Sequence, residues 1–219
     1  MSVHLQKEIS NLKKMILALG AMVEESVKQS IKSVISADAE LALHIQANDQ
    51  EIDQYEVAIE EECLKVLALY QPVAVDLRFI VAILKINNDL ERIGDEAVNI
   101  AERSEFLATV DHDEEVITNN FNVMEKKTQA MLKKALDALV NLDADLAQQV
   151  CDSDDEVDQI NRDSHELSRN LIKEKPYKVD FLIQSSSIFK YLERIADLAT
   201  NIAEDVIYMC HGKIVRHKN

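Results

Sequence analysis

Residues 90–102 read LERIGDEAVNIAE, and residues 192–204 read LERIADLATNIAE. Only Gly94/Ala196, Glu96/Leu198 and Val98/Thr200 differ. Three more pairs match in the same order. Asp38-Ala-Glu-Leu-Ala matches Asp143-Ala-Asp-Leu-Ala, Asp49–Gln54 (DQEIDQ) matches Asp154–Gln159 (DDEVDQ), and Pro72-Val-Ala-Val-Asp matches Pro176-Tyr-Lys-Val-Asp. Four ordered matches are the signature of an internal duplication. The chain is therefore expected to fold as one unit built twice, over residues 1–108 and 109–219.

What that unit is made of follows from what it lacks. Three glycines and two prolines in 219 residues are too few to punctuate sheets or long loops, so nearly everything must be helix. The breaks that do occur predict helices over about 3–36, 38–70 and 74–106, then 114–141, 143–174 and 178–211. Asp38 and Asp143 stand where a side chain would cap a following helix, and Asp111 with Glu114 has capping-box spacing. The expected fold is all-α: two tandem antiparallel three-helix bundles with tight connections. Helices of this length reach ~45 Å at 1.5 Å per residue. Without tryptophan, the core falls to Leu, Ile, Val, Ala and Met.

Forty acidic residues against 24 basic ones give a formal charge of −16, which argues against nucleic acid as a partner and suits cations or basic protein faces. Cys63, Cys151 and Cys210 are odd in number and form no CxxC pair, so a disulfide framework is not expected and a reducing, cytoplasmic setting is. The opening residues lack a signal-peptide pattern, and no apolar run is long enough to span a bilayer. Phosphate-cradling glycine loops, HExxH and the Glu-x-x-His pairs of di-iron oxidases are absent from the sequence. Cys210-His211 near His217 reads as a polar C-terminus, and Ser185-Ser-Ser as small residues for close helix packing.

The carboxylates carry the chemistry. Glu91, Asp95 and Glu102 share nearly one azimuth of their helix, and that azimuth earlier carries Leu77, Ile80 and Leu84. Arg78, Lys85, Asp89, Arg92 and Arg103 lie on other faces and read as the solvated side. On the preceding helix Asp49 and Asp53 stand four apart, with Glu56 and Glu60 extending the line. Asp53 precedes Pro72 by nineteen residues and Glu91 follows it by nineteen; Asp49 and Asp95 lie 23 residues to either side. An antiparallel hairpin turning near Pro72 sets these four level. The second copy nearly repeats the spacing around Pro176 with Asp154, Asp158, Glu193 and Asp197.

Like charges at such spacing cost about 0.2–0.5 kcal/mol per pair even when exposed, so something must compensate. A multivalent cation does so directly, and all-oxygen donors suit Mg, Mn, Ca or Fe. Pairing with Arg92, Arg194 or lysines, or carboxyls of raised pKa, is the alternative. Asn99, Glu102, Asn201 and Glu204 follow along the repeated stretch as possible further ligands or orienting donors. His165 takes the place of Glu60, in line with Asp154 and Asp158, and a nitrogen there would bias the second site toward iron or zinc.

Two tandem three-helix units with paired (E/D)xxxD motifs at Asp49–Asp53, Glu91–Asp95, Asp154–Asp158 and Glu193–Asp197 resemble the PhoU family of phosphate-transport regulators. The stretches Leu19-Gly-Ala-Met-Val-Glu and Gln71-Pro-Val-Ala-Val-Asp-Leu-Arg are similar to it as well, and the resemblance spans essentially the whole chain. It implies multinuclear metal clusters, iron or zinc foremost, held by those carboxylate pairs. It further implies a cytoplasmic, non-enzymatic adaptor between the ATPase side of a phosphate ABC transporter and a sensor histidine kinase. Such an adaptor restrains phosphate uptake and the starvation response, and a homodimer is expected. Departures from the family pattern are Leu182 in place of Arg78's counterpart and His165 in place of Glu60's. A metal-dependent hydrolase or oxidase using the same clusters, and a metal-free helical interaction protein, are the competing readings.

Overall fold

The computed structural model describes residues 3–109 and 115–212. The described residues are helical almost throughout: α1 (Val3–Ser36), α2 (Ala39–Tyr70), α3 (Ala74–Leu107), α4 (Glu115–Asn141), α5 (Ala144–Cys151), α6 (Asp154–Glu174) and α7 (Val179–His211). A single 3-10 turn at Pro176–Lys178 leads into α7. α5 and α6 together fill the place of one rod, so six rods form two three-helix bundles. The Asp111–Glu114 capping box and His217 fall outside the described residues.

The first turn of each copy is built alike. Asp38 donates its N–H to the Ser33 carbonyl at 3.0 Å, and Asp143 to that of Ala138 at 3.0 Å, the six-to-one bond that closes a helix C-terminus. The same aspartates then cap the next helix: Asp38 Oδ1 accepts from Leu41 N–H at 2.9 Å, and Asp143 Oδ1 from Leu146 N–H at 2.9 Å. One residue thus ends one helix and starts the next. The preceding residues, Ala37 (φ 50°) and Leu142 (φ 51°), take the left-handed conformation usually given to glycine.

The fifth rod is not the continuous helix over 143–174 that the punctuation predicts; it breaks at Asp152–Ser153. Ser153 Oγ donates to the Gln149 carbonyl at 2.7 Å, and Ser153 N–H turns to Val150 O at 3.0 Å instead. Gln148 holds the Asp152 side chain at 2.9 Å. Short polar side chains here compete for the helix's own backbone bonds. The new helix opens on Asp154, Asp155 and Glu156, acids favoured at a helix N-terminus.

The main apolar core runs through both copies, from Leu12, Ile16 and Leu19 of α1 to Ile195, Ile202 and Val206 of α7, with a small separate cluster at Ala42, Ile45 and Ala101. α3 and α7, the repeated helices, pack extensively along each other, and α1 also meets α4. α3 and α7 run antiparallel: Lys85 pairs with Asp205 (3.1 Å), Glu96 with Arg194 (3.0 Å), and Arg103 bonds Gln184 (3.5 Å). The face of α3 read as solvated is therefore partly the seam between the copies. Asp89 is only 7% exposed, and Arg78 and Arg103 are half-buried. A polar interface and a wet face look alike in sequence, because both carry charge at helical spacing. The α1–α4 contact depends on Gly20, where a methyl group would lie 2.8 Å from Leu136 Cδ2.

Candidate carboxylate sites

The register set by Pro72 is visible in two contacts. Asn87 Nδ2 donates to the Glu56 carbonyl at 3.0 Å. A methyl group at Gly94 would lie 3.3 Å from Ile52 Cδ1 and 3.7 Å from Asp49 Oδ1. Asp49 and Gly94 are thus level, within a residue of the expected placement. Around Pro176, Thr200 Oγ1 reaches Asp154 Oδ1 at 3.3 Å, and Ser186 Oγ lies 2.6 Å from His165 Nδ1.

In the first copy Asp49, Asp53, Glu56, Glu91 and Asp95 share one field. Burial pushes the Glu91 carboxyl up to about 7, with Asp95, Glu56, Asp53 and Asp49 adding to it in that order. Asp49 is pushed up to about 6 by burial, then by Asp53 and Asp95. Asp95 rises through burial and Asp53, and Glu56 through burial, Glu60 and Asp53. Among the described residues, no lysine or arginine pairs with any of these five. Arg92, one cation considered for that role, lies 3.5 Å from Asp89 instead.

The second copy brings together Asp154, Asp158, Glu193 and Asp197 but relieves them differently. Asp197 is pushed up to about 6 by burial, Glu193, Asp154 and Asp158, with Arg194 opposing. Glu193 rises through burial, Asp158 and Asp154, against Arg194 and Lys190. Asp154 rises through burial and Asp158, while the Thr200 hydroxyl stabilises its charge. Asp158 is bound by Arg162 at 3.2 Å. Two of the three differences within the repeated stretch therefore touch these clusters: Gly94 lets α2 approach α3 at Asp49, and Thr200 bonds the counterpart of Asp49. The third, Glu96, receives Arg194 from the other copy. Sequence comparison marks these positions as different without saying what they meet.

Asn99 donates to Glu96 Oε2 at 3.1 Å on its own helix, and Glu102 is exposed, 3.6 Å from Arg103. Glu204 lies near Cys151, whose thiol burial and Glu204 push up to about 11. Asn201 is half-buried on α7. His165 is engaged by Ser186, seven residues or ~10 Å of helix beyond Asp158. Among the described residues, no group of three or more His, Cys, Asp or Glu is arranged as it stands to hold a metal ion.

A surface feature unassigned by sequence is an apolar stripe on α2. Leu43, Val57 and Leu64 are each at least half exposed and recur at multiples of seven residues, hence on one side of the helix. Among the described residues no helix is long and apolar enough to cross a membrane.

The sequence pattern of the PhoU domain family matches residues 16–104 and again 121–206, once in each copy. A phosphate-specific transport system accessory protein PhoU homolog of Pseudomonas aeruginosa is 37% identical over 210 residues, covering 96% of this chain and 86% of that protein. The protein of the same description from Aquifex aeolicus is 36% identical over 216 residues, covering 97% of this chain and 96% of its own. The crystal structure of PhoU from Pseudomonas aeruginosa superposes with a TM-score of 0.91 at 35% identity, covering 95% of this chain and 99% of that one. That of the phosphate transport system regulatory protein PhoU from Streptococcus pneumoniae gives 0.84 at 31% identity, covering 96% and 99%. These are the names of accessory and regulatory proteins, not of enzymes. With both copies matched and the whole fold shared, the chain belongs to the PhoU family, a family of phosphate-transport regulatory and accessory proteins.

Proposed function

We propose that this chain restrains phosphate uptake and the phosphate-starvation response as a cytoplasmic, non-enzymatic adaptor between a phosphate ABC transporter and a sensor histidine kinase, with a metal cluster on each copy. The family supplies the regulatory role. The metal rests on one observation: five facing acids in the first copy whose charge no side-chain cation among the described residues relieves. An all-carboxylate donor set fits hard and borderline cations, and iron or zinc is the expected occupant, with Mn, Mg or Ca as further candidates.

Asp49, Asp53, Glu91 and Asp95 would hold the first ion or cluster, and Asp154, Asp158, Glu193 and Asp197 the second. A bound cation would supply positive charge that ties α2 to α3, and α6 to α7. The chain's own part is to hold the acids near one another across each hairpin, with Asp49, Glu91, Asp154, Asp158 and Glu193 partly shielded from water, which raises their demand for a counter-charge. The exposed Leu43–Val57–Leu64 stripe of α2 offers partners an apolar surface beside the first cluster.

Elemental analysis of protein purified without chelator or polyhistidine tag tests the metal. Bound iron or zinc is expected, reduced by the quadruple change Asp49→Asn, Asp53→Asn, Glu91→Gln and Asp95→Asn. No bound metal, together with an unchanged melting temperature on adding Fe, Zn, Mn or Mg, would sink it. For the adaptor role, co-purification with the transporter ATPase and the kinase is expected, and its absence under both phosphate-rich and phosphate-poor growth counts against it.

A further inference from the structure

The outer groove between α6 and α7 is chemically unlike the rest of this acidic chain. It has a volume of about 380 Å³, with Arg169, Lys190 and His165 on its walls, Ile172 and Leu182 among its apolar lining, and no carboxylate in that lining. Among the described residues neither Arg169 nor Lys190 makes an ion pair. Ser168 also lines the groove; it is 3% exposed, and its hydroxyl has no hydrogen-bond partner. A buried hydroxyl without a partner is uncommon and calls for an account. The tautomer in which Ser186 donates to His165 Nδ1 leaves Nε2–H as a further donor.

The corresponding residues of the first copy are of other types. In the register of the repeat, Glu60 stands for His165, Cys63 for Ser168 and Leu64 for Arg169. Acid, thiol and leucine have become imidazole, hydroxyl and guanidinium on one helix face. Two cations are gathered in a lining that holds no carboxylate, although Lys190 also eases Glu193 one turn along α7.

We infer that the α6–α7 groove is an anion site for a dianionic phosphate group, free or carried on a small organic molecule. Arg169 and Lys190 supply the charge, Ser168 and His165 the directed donors. The apolar lining at Ile172 and Leu182 gives room for an organic body beyond the phosphate. The site shares no residue with the carboxylate clusters, although Lys190 lies within reach of Glu193, and it does not depend on metal.

Calorimetric titration of chelator-treated protein with inorganic phosphate and, separately, with phenyl phosphate tests this. Both are expected to bind, phenyl phosphate more tightly if the ligand's body uses the apolar lining. Arg169→Gln with Lys190→Gln should weaken binding about tenfold or more, and Ser168→Ala severalfold, while Lys133→Gln on α4 leaves it unchanged. In amide NMR spectra the phosphate-induced shifts should cluster over 165–172 and 182–190, a readout that unfolding of a variant would not reproduce. Binding of neither probe, binding undiminished in the double variant, or binding that chelation abolishes would overturn the assignment. The last outcome would move phosphate to the metal clusters; absence of bound metal in the untreated protein, with phosphate binding retained, would sink the metal reading alone.

Discussion

Neutralising Glu91 should stabilise the metal-free protein, and only above mildly acidic pH. Its carboxyl is raised from an ordinary 4.5 to about 7, so the folded state holds this proton more tightly than the unfolded chain does. The destabilisation is therefore absent below pH 4.5, develops as pH rises from there to 7, and is complete above it. At 1.36 kcal/mol per unit the shift corresponds to ~3 kcal/mol, which solvent screening of this half-exposed side chain reduces to about 1–2 kcal/mol. Glu91→Gln removes the charge while keeping the shape. In chelator-treated protein at pH 8 it should raise the melting temperature by about 2–8 °C, since 1 kcal/mol is worth about 2–4 °C in a chain this long. At pH 5 the folded wild-type residue is protonated and most of the gain should be gone. Paired thermal melts at pH 5, 6, 7 and 8 measure it. A gain independent of pH, or a loss at pH 8, would show that Glu91 is not under electrostatic strain.

The two tight turns give a second prediction. Ala37→Gly and Leu142→Gly should each stabilise the fold by about 0.5–1 kcal/mol, because a left-handed residue with a Cβ costs about 1–2 kcal/mol and glycine's added chain entropy returns part of that. Urea midpoints with an unchanged slope would register it, and no shift in either variant would mean the turns are unstrained. At the α1–α4 contact, Gly20→Val drives a branched side chain into Leu136 and should cost about 1–3 kcal/mol. The same denaturation curves read it, and a neutral result would mean that the two helices can move apart freely.

Most of the architecture was legible because helix is the default of a chain so poor in glycine and proline, and because duplication lets each copy check the other. The placement of Asp49 beside Gly94, one residue from Asp95, needed only a turn position and the helical rise. Two things escaped. Ser153 broke the fifth rod through a side-chain bond that periodicity does not record. Asp89, Glu96 and Asp205 proved buried, since nothing in a single helix's pattern tells a charge that faces water from one that faces a partner charge on a distant stretch. Equally, the groove on α6 is a divergence between copies rather than a motif, so it emerges only when the two are compared in three dimensions.

That divergence at the seam follows from the geometry of duplication. α3 and α7 pack antiparallel, so each seam position in one copy meets a different position of the other. Lys85 meets Asp205, the counterpart of Arg103 at the 102-residue offset of the repeat. Two copies carrying the first unit's residues would set Lys85 against arginine, and do so twice. The chain instead carries Asp205 at one crossing, while at the other Ser187 stands for Lys85 and Arg103 bonds Gln184. Glu96 likewise takes Arg194, whereas Leu198 replaces glutamate at the mirrored crossing and Arg92 turns to Asp89. Giving the second copy the first copy's residue by Asp205→Arg should therefore be far worse than removing the charge. Asp205 is 2% exposed, so a second cation beside Lys85 has little water to shield it, and the cost should reach about 3–5 kcal/mol, against about 1–3 for Asp205→Asn. Lys85→Asp in the arginine variant should recover part of that difference by reversing the pair. Equal destabilisation by arginine and asparagine, with no recovery, would mean the seam is held by its apolar contacts alone and the charges diverged for another reason.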